Sequence, residues 1–175
     1  MNRKTLLNGG IIILIIIIAG ITLIYNNSNN NINFTNNNKI SLEGKNTTIN
    51  GYNCMIPDQY QNGCVTNKTS YSLYGTDNDS LYITVYSNDD DGDKMYNSDM
   101  SYFAEGENNQ DTGLKTENTT VDNHQILYVS LHSETRGDYR LAFFKVKDKR
   151  VMIEWLGNDI NNNIKNIINS FYQLN

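Results

Sequence analysis

The chain has 175 residues and a formal net charge of −5, with 38% hydrophobic and 19% charged side chains. Apart from Arg3 and Lys4, which precede an apolar N-terminal run, it carries 12 basic and 19 acidic groups, a net −7. That balance repels nucleic-acid phosphates and anionic headgroups, which excludes nucleic acid as a partner.

Residues 1–5 form a short basic flank, and residues 6–25 read as a transmembrane helix. From Gly9 to Ile24 every residue is apolar or small, and about twenty helical residues at roughly 1.5 Å each span the roughly 30 Å hydrocarbon core. The basic flank places the N-terminus in the cytoplasm and the rest outside, so the lipid bilayer is the first expected partner. A cleaved signal needs a small-x-small site; Thr22-Leu23-Ile24-Tyr25-Asn26-Asn27 has none, which favours a retained anchor. Residues 26–38, almost all Asn, are too polar to pack and read as a linker that holds the outer part about 20 Å from the membrane.

Residues 39–175 have the size of one extracytoplasmic domain. Short strands at 47–49 and 52–56 flank the turn dipeptide Asn50-Gly51, and Pro57 ends the second. Strands follow at 70–74 and 80–86; in the latter Leu81, Ile83 and Val85 alternate with Tyr82, Thr84 and Tyr86. The acidic run from Asp89 to Asp93 precedes a helix expected over 94–105. An edge strand is expected at 113–121 and a clearer one at 125–131, then a hairpin of 139–146 and 150–156 around Lys147-Asp148-Lys149. Asn158 or Asp159 is positioned to cap a closing helix that runs to about Gln173. Its stripe of Ile160, Ile164, Ile167, Ile168 and Phe171 should lie across the sheet.

The order is α+β: an antiparallel sheet packed against a C-terminal amphipathic helix and a second helix, preceded by the transmembrane helix. Ile49-Asn50-Gly51-Tyr52-Asn53-Cys54-Met55-Ile56-Pro57-Asp58-Gln59-Tyr60 resembles the opening of domains with the Mog1/PsbP-like fold, and the terminal hairpin plus a helix ending Ser170-Phe171 is similar to their close. The chain also resembles small single-span surface proteins of archaea that carry such a domain. The resemblance implies a binding or accessory module and transfers no catalytic residue.

Cys54 and Cys64, both outside the membrane, are expected to form a disulfide worth about 2.5 to 3 kcal/mol by loop closure, with two unpaired small hydrophobes as the competing reading. Their spacing, with no nearby His, fits neither a zinc site nor a redox pair. Asn-x-Ser/Thr acceptors fall at Asn46, Asn67, Asn78 and Asn118, besides Asn26 and Asn33 in the linker, close to what so much Asn produces by chance.

Asp89, Asp91 and Asp93 are the weak metal candidates. With Gly92 at the sixth position of a calcium loop, Ser98 occupies the place of the bidentate Glu, so a solvated acidic loop leading into a helix explains the same residues. His124 and His132 would sit some 26 Å apart on one continuous strand, too far to share a site. Tyr82, Tyr86 and Tyr128 are the candidates for an aromatic binding face, with packing under the helices as the competing fate; Trp155 reads as core.

No catalytic motif and no cofactor motif stand out, so no cofactor is expected. The expectation is a membrane-anchored cell-surface protein with a non-catalytic module that binds a surface protein or cell-wall component. The alternatives are a surface hydrolase using a carboxylate pair and a pilin-like assembly subunit.

Overall fold

The computed structural model describes residues 41–74, 80–105, 111–134, 137–157 and 159–175. The expected transmembrane helix, the linker with Asn26 and Asn33, the turn at 75–79 with Asn78, and Asn158 lie outside the described residues. Among the described residues no helix is long and apolar enough to cross a membrane. Ile40–Asn175 forms one compact unit.

That unit is α+β. Its elements are β1 (Lys45–Ile49), β2 (Tyr52–Ile56), a 3₁₀ turn (Asp58–Tyr60), β3 (Cys64–Thr66), β4 (Ser70–Leu73), β5 (Leu81–Val85), α1 (Asp90–Glu105), β6 (Asp111–Val121), β7 (His124–Ser133), β8 (Gly137–Val146), β9 (Lys149–Leu156) and α2 (Asn162–Leu174). β1 and β2 form a separate antiparallel ribbon. The other seven strands make one antiparallel sheet in the order β3-β4-β5-β9-β8-β7-β6. β3 was not legible in the sequence, since three residues carry no periodicity. The tight turns follow their residues: Asp122 and Asn123, at φ 46° and 74°, join β6 to β7 as positive-φ hairpin turns require.

Strict alternation along β5, β7 and β9 divides two cores. Leu81, Ile83, Val85, Val151, Ile153 and Trp155 face the layer made by the β1–β2 ribbon and α2, where Ile49, Ile56, Ile164, Ile168 and Phe171 are fully buried. Tyr86, Val129, Leu131, Leu141, Phe143 and Met152 face α1 and pack with its Tyr96, Met100 and Phe103. The sheet is thus the middle of three layers.

α2 covers the sheet as its apolar stripe demands, but it lies beside β2 rather than alone. The outer edge of β2 has no strand partner, and side chains of α2 supply the missing bonds: Ser170 Oγ accepts Met55 N–H at 2.9 Å, and Asn175 bonds both N–H and C=O of Asn53. Asn166 makes the same double contact with the backbone of Glu43. The cap of α2 is Asn161, whose Oδ1 accepts Ile164 N–H at 3.0 Å, not Asn158 or Asp159.

α1 begins four residues earlier than expected. Asp89 Oδ1 accepts Gly92 N–H at 2.7 Å as a helix cap, and Asp90, Asp91 and Asp93 occupy the first turn, where acidic groups suit the macrodipole. Gly92 permits this start: a Cβ there would stand 2.2 Å from the carbonyl oxygen of Ser87.

Candidate functional site

Besides a bulge in β6 between Thr112 and Lys115, the pairing of the sheet is interrupted between β7 and β8. β6 and β7 pair as far as Val121 and His124, and β8 and β9 as far as Val146 and Lys149, yet β7 and β8 stop pairing at Leu127 and Phe143. Beyond that point the two hairpins part and leave a cleft of about 800 Å³ between them. Tyr172 of α2 holds it open, its hydroxyl donating at 2.8 Å to the carbonyl of Lys145, an acceptor that the strand partner no longer serves. The ring of Tyr172 stacks on His124 at 3.6 Å with 2° between planes, and Phe144 lies 6.0 Å behind it.

Amide and hydroxyl groups of Asn118, Thr119, Asn123 and Gln125 complete the rim around this aromatic wall. Partial burial lowers the pKa of His124 below its ordinary value, with the carboxylate of Asp122 opposing, and burial raises that of Tyr172. The cleft therefore offers a flat aromatic surface edged by amide and hydroxyl groups, with Lys145 at its margin, a chemistry for holding a polar ligand.

The residues singled out from the sequence are dispersed. The carboxylates of the acidic run have partners within the protein: Asp89 caps the helix, Asp91 lies 3.5 Å from Lys94, and Asp93 is gripped by Arg150, whose Nη2 donates to Oδ2 at 2.6 Å. Among the described residues no three His, Cys, Asp or Glu side chains are grouped to hold a metal ion. Cys54 and Cys64 are free thiols rather than a disulfide. The alternation of β2 turns Cys54 into the core, while Cys64 opens the exposed edge strand β3.

His124 and His132 stand at opposite ends of β7, the second bonded through Nδ1 to Asp138 at 2.7 Å. The tyrosines do not make one face. Tyr82 and Tyr86 belong to the α1 side and Tyr128 to the α2 side; Tyr86 and Tyr128 are buried, donating to Asp99 at 2.6 Å and Asp159 at 2.8 Å. Burial raises both phenol pKa values. Trp155 is core, 1% exposed. Asn46, Asn67 and Asn118 are all exposed.

No family model matches the chain, and no curated protein or solved structure matches it. The site must be read from its own geometry.

The sequence did not point to the cleft, because Tyr172 and Lys145 are 27 residues apart and neither belongs to a motif. The one available signal was Tyr172 next to the apolar stripe of α2, a polar-edged ring at the margin of a buried helix face. Several carboxylates are engaged singly: Asp93 by Arg150, Asp99 by Tyr86, Asp122 by Asn169, Asp148 by Tyr52 and Asn88.

Proposed function

We propose that the chain is a membrane-anchored cell-surface protein whose outer domain, of Mog1/PsbP-like design, binds a surface partner or cell-wall component in the cleft between β7 and β8. The observation that carries this reading is the cleft itself, in which a helix side chain replaces a strand's hydrogen bond and leaves the parted hairpins lined by a stacked His–Tyr pair. Support for the design comes from the order of elements, a ribbon, an antiparallel sheet and a closing helix. Support for the address comes from the apolar run at 6–25 and its basic flank.

Two measurements test it with the full chain. Fractionation and protease shaving of intact cells should find the protein in membranes and cleavable from outside; recovery from the soluble cytosol overturns the address. Retention on isolated cell-envelope material should fall at least tenfold when His124 and Tyr172 are both replaced by Ala, and retention that is unchanged, or absent in the parent chain, overturns the binding role.

A further inference from the structure

The α2 side of the sheet is apolar over only part of its width. In cross-strand register one row runs Lys115, Ser130, Arg140, Trp155, Leu81, and the next Glu117, Tyr128, Ala142, Ile153, Ile83. Both rows turn polar toward the edge strand β6. There a cavity of about 550 Å³ opens, walled by β6, β7, β8 and the segment Asp159 and Ile160 that leads to α2.

Arg140 forms its base. The side chain is 15% exposed, and Nη1 donates to the carbonyls of Leu131 and Tyr139 at 3.2 and 3.0 Å. Nε is buried and makes no hydrogen bond of good geometry, its neighbours being the Asp159 carboxylate in a long ion pair and the Tyr128 hydroxyl, a costly state for a guanidinium N–H. A carboxylate oxygen of Asp159, Oδ1, stands 3.7 Å away, outside hydrogen-bond range, and accepts instead the hydroxyl of Tyr128 at 2.8 Å. The Asp159 side chain is 89% exposed. A carboxylate is therefore already drawn to this corner as the ion-pair partner of Nε, yet it stands too far off to accept the Nε proton.

We propose that this corner binds a sugar acid, its carboxylate accepting from Arg140 Nε–H and from the Tyr128 hydroxyl while the Asp159 side chain swings out. The side-on edge of a guanidinium matches a carboxylate, and with Nη1 committed to carbonyls the Nε edge is the one left open. The groups beyond it suit hydroxyls: Ser130, Thr119, Glu117 and Lys115 line the wall, and Ile160 is its one aliphatic side chain. A peptide with apolar side chains next to its carboxylate would find little on this wall to bury them. The volume holds a mono- or disaccharide. The net −7 beyond the N-terminal span disfavours a long polyanion and leaves a short sugar acid with one or two carboxylates. This assignment shares only Thr119 with the cleft between β7 and β8 and does not depend on that cleft or on where the chain resides.

The test is calorimetric or NMR titration of the purified full-length chain with digalacturonate, with the neutral galactose disaccharide and an acetylated tripeptide bearing a free carboxylate as comparisons. Digalacturonate should bind, at least tenfold more tightly than either comparison. Asp159→Ala, at an exposed position, should tighten binding several-fold by removing the competing carboxylate and freeing the Tyr128 hydroxyl for the ligand, and R140Q should weaken it at least tenfold. Should R140Q fail to fold, Asp159→Ala alone decides. Absence of digalacturonate binding in both the parent chain and Asp159→Ala, equal binding of the neutral sugar or of the peptide, or weaker binding in Asp159→Ala overturns the proposal.

Discussion

The side-chain amide of Asn175 pairs with the backbone of Asn53 as a strand would, Oδ1 accepting its N–H and Nδ2 donating to its carbonyl, both at 2.8 Å. With Ser170 on Met55, it closes the outer edge of β2. An unpaired strand edge is a template for other chains, and here a helix covers it.

Replacing Asn175 by Ala removes both bonds to a half-buried backbone site and should cost about 1 to 2 kcal/mol. Ser170→Ala should cost a similar amount, because it strands Met55 N–H. Urea denaturation followed by tyrosine and tryptophan fluorescence checks both. An unchanged midpoint for the pair would mean that water satisfies β2 equally well.

The start of α1 rests on Asp89, Gly92 and the Arg150–Asp93 pair. Arg150 is 19% exposed and Asp93 39%, so solvent screens part of the interaction, and Asp93→Asn should cost about 1 to 3 kcal/mol. Gly92→Ala forces the helix away from Ser87 and should cost about 2 kcal/mol or more. With Asp89 and Asp93 engaged, millimolar calcium should leave the thermal midpoint where it was. A calcium-dependent rise that Asp89→Ala abolishes would reinstate the metal loop.

His124 makes folding sensitive to mild acid. Burial against Tyr172 lowers its folded pKa below the ordinary 6.5, and Asp122 only partly offsets this. The unfolded chain therefore binds the proton more readily, so stability is full above pH 6.5 and declines as pH falls through that value toward the depressed folded pKa. Denaturant midpoints across this window should slope less for His124→Gln than for the parent chain. An unaltered slope would remove His124 as the source.

The two thiols should differ sharply. Burial pushes Cys54 up to about 12, whereas Cys64 is exposed. Alkylation of the native protein should label Cys64 alone, and denaturant should release Cys54. Labelling of neither until a reductant is added would restore the disulfide expected from the spacing.

Periodicity made much of this fold readable in advance. The alternation of Leu81, Ile83 and Val85 separated the two faces of β5, and the stripe from Ile164 to Phe171 marked the buried side of α2, because burial imposes the same repeat on any chain that forms these elements. Composition likewise carried the apolar start and the acidic surplus. The identity of what lies opposite each face is a different kind of information. The abundant Asn carried no sign that Asn166 and Asn175 would bond backbone groups more than a hundred residues away, and the acidic run carried no sign of Arg150, which reaches Asp93 from β9. The parting of β7 from β8 and the long ion pair of Arg140 Nε with Asp159 arise only when strands and helix meet. A local pattern records which side of an element avoids water; which donor finds an acceptor depends on distances that exist only in the folded chain.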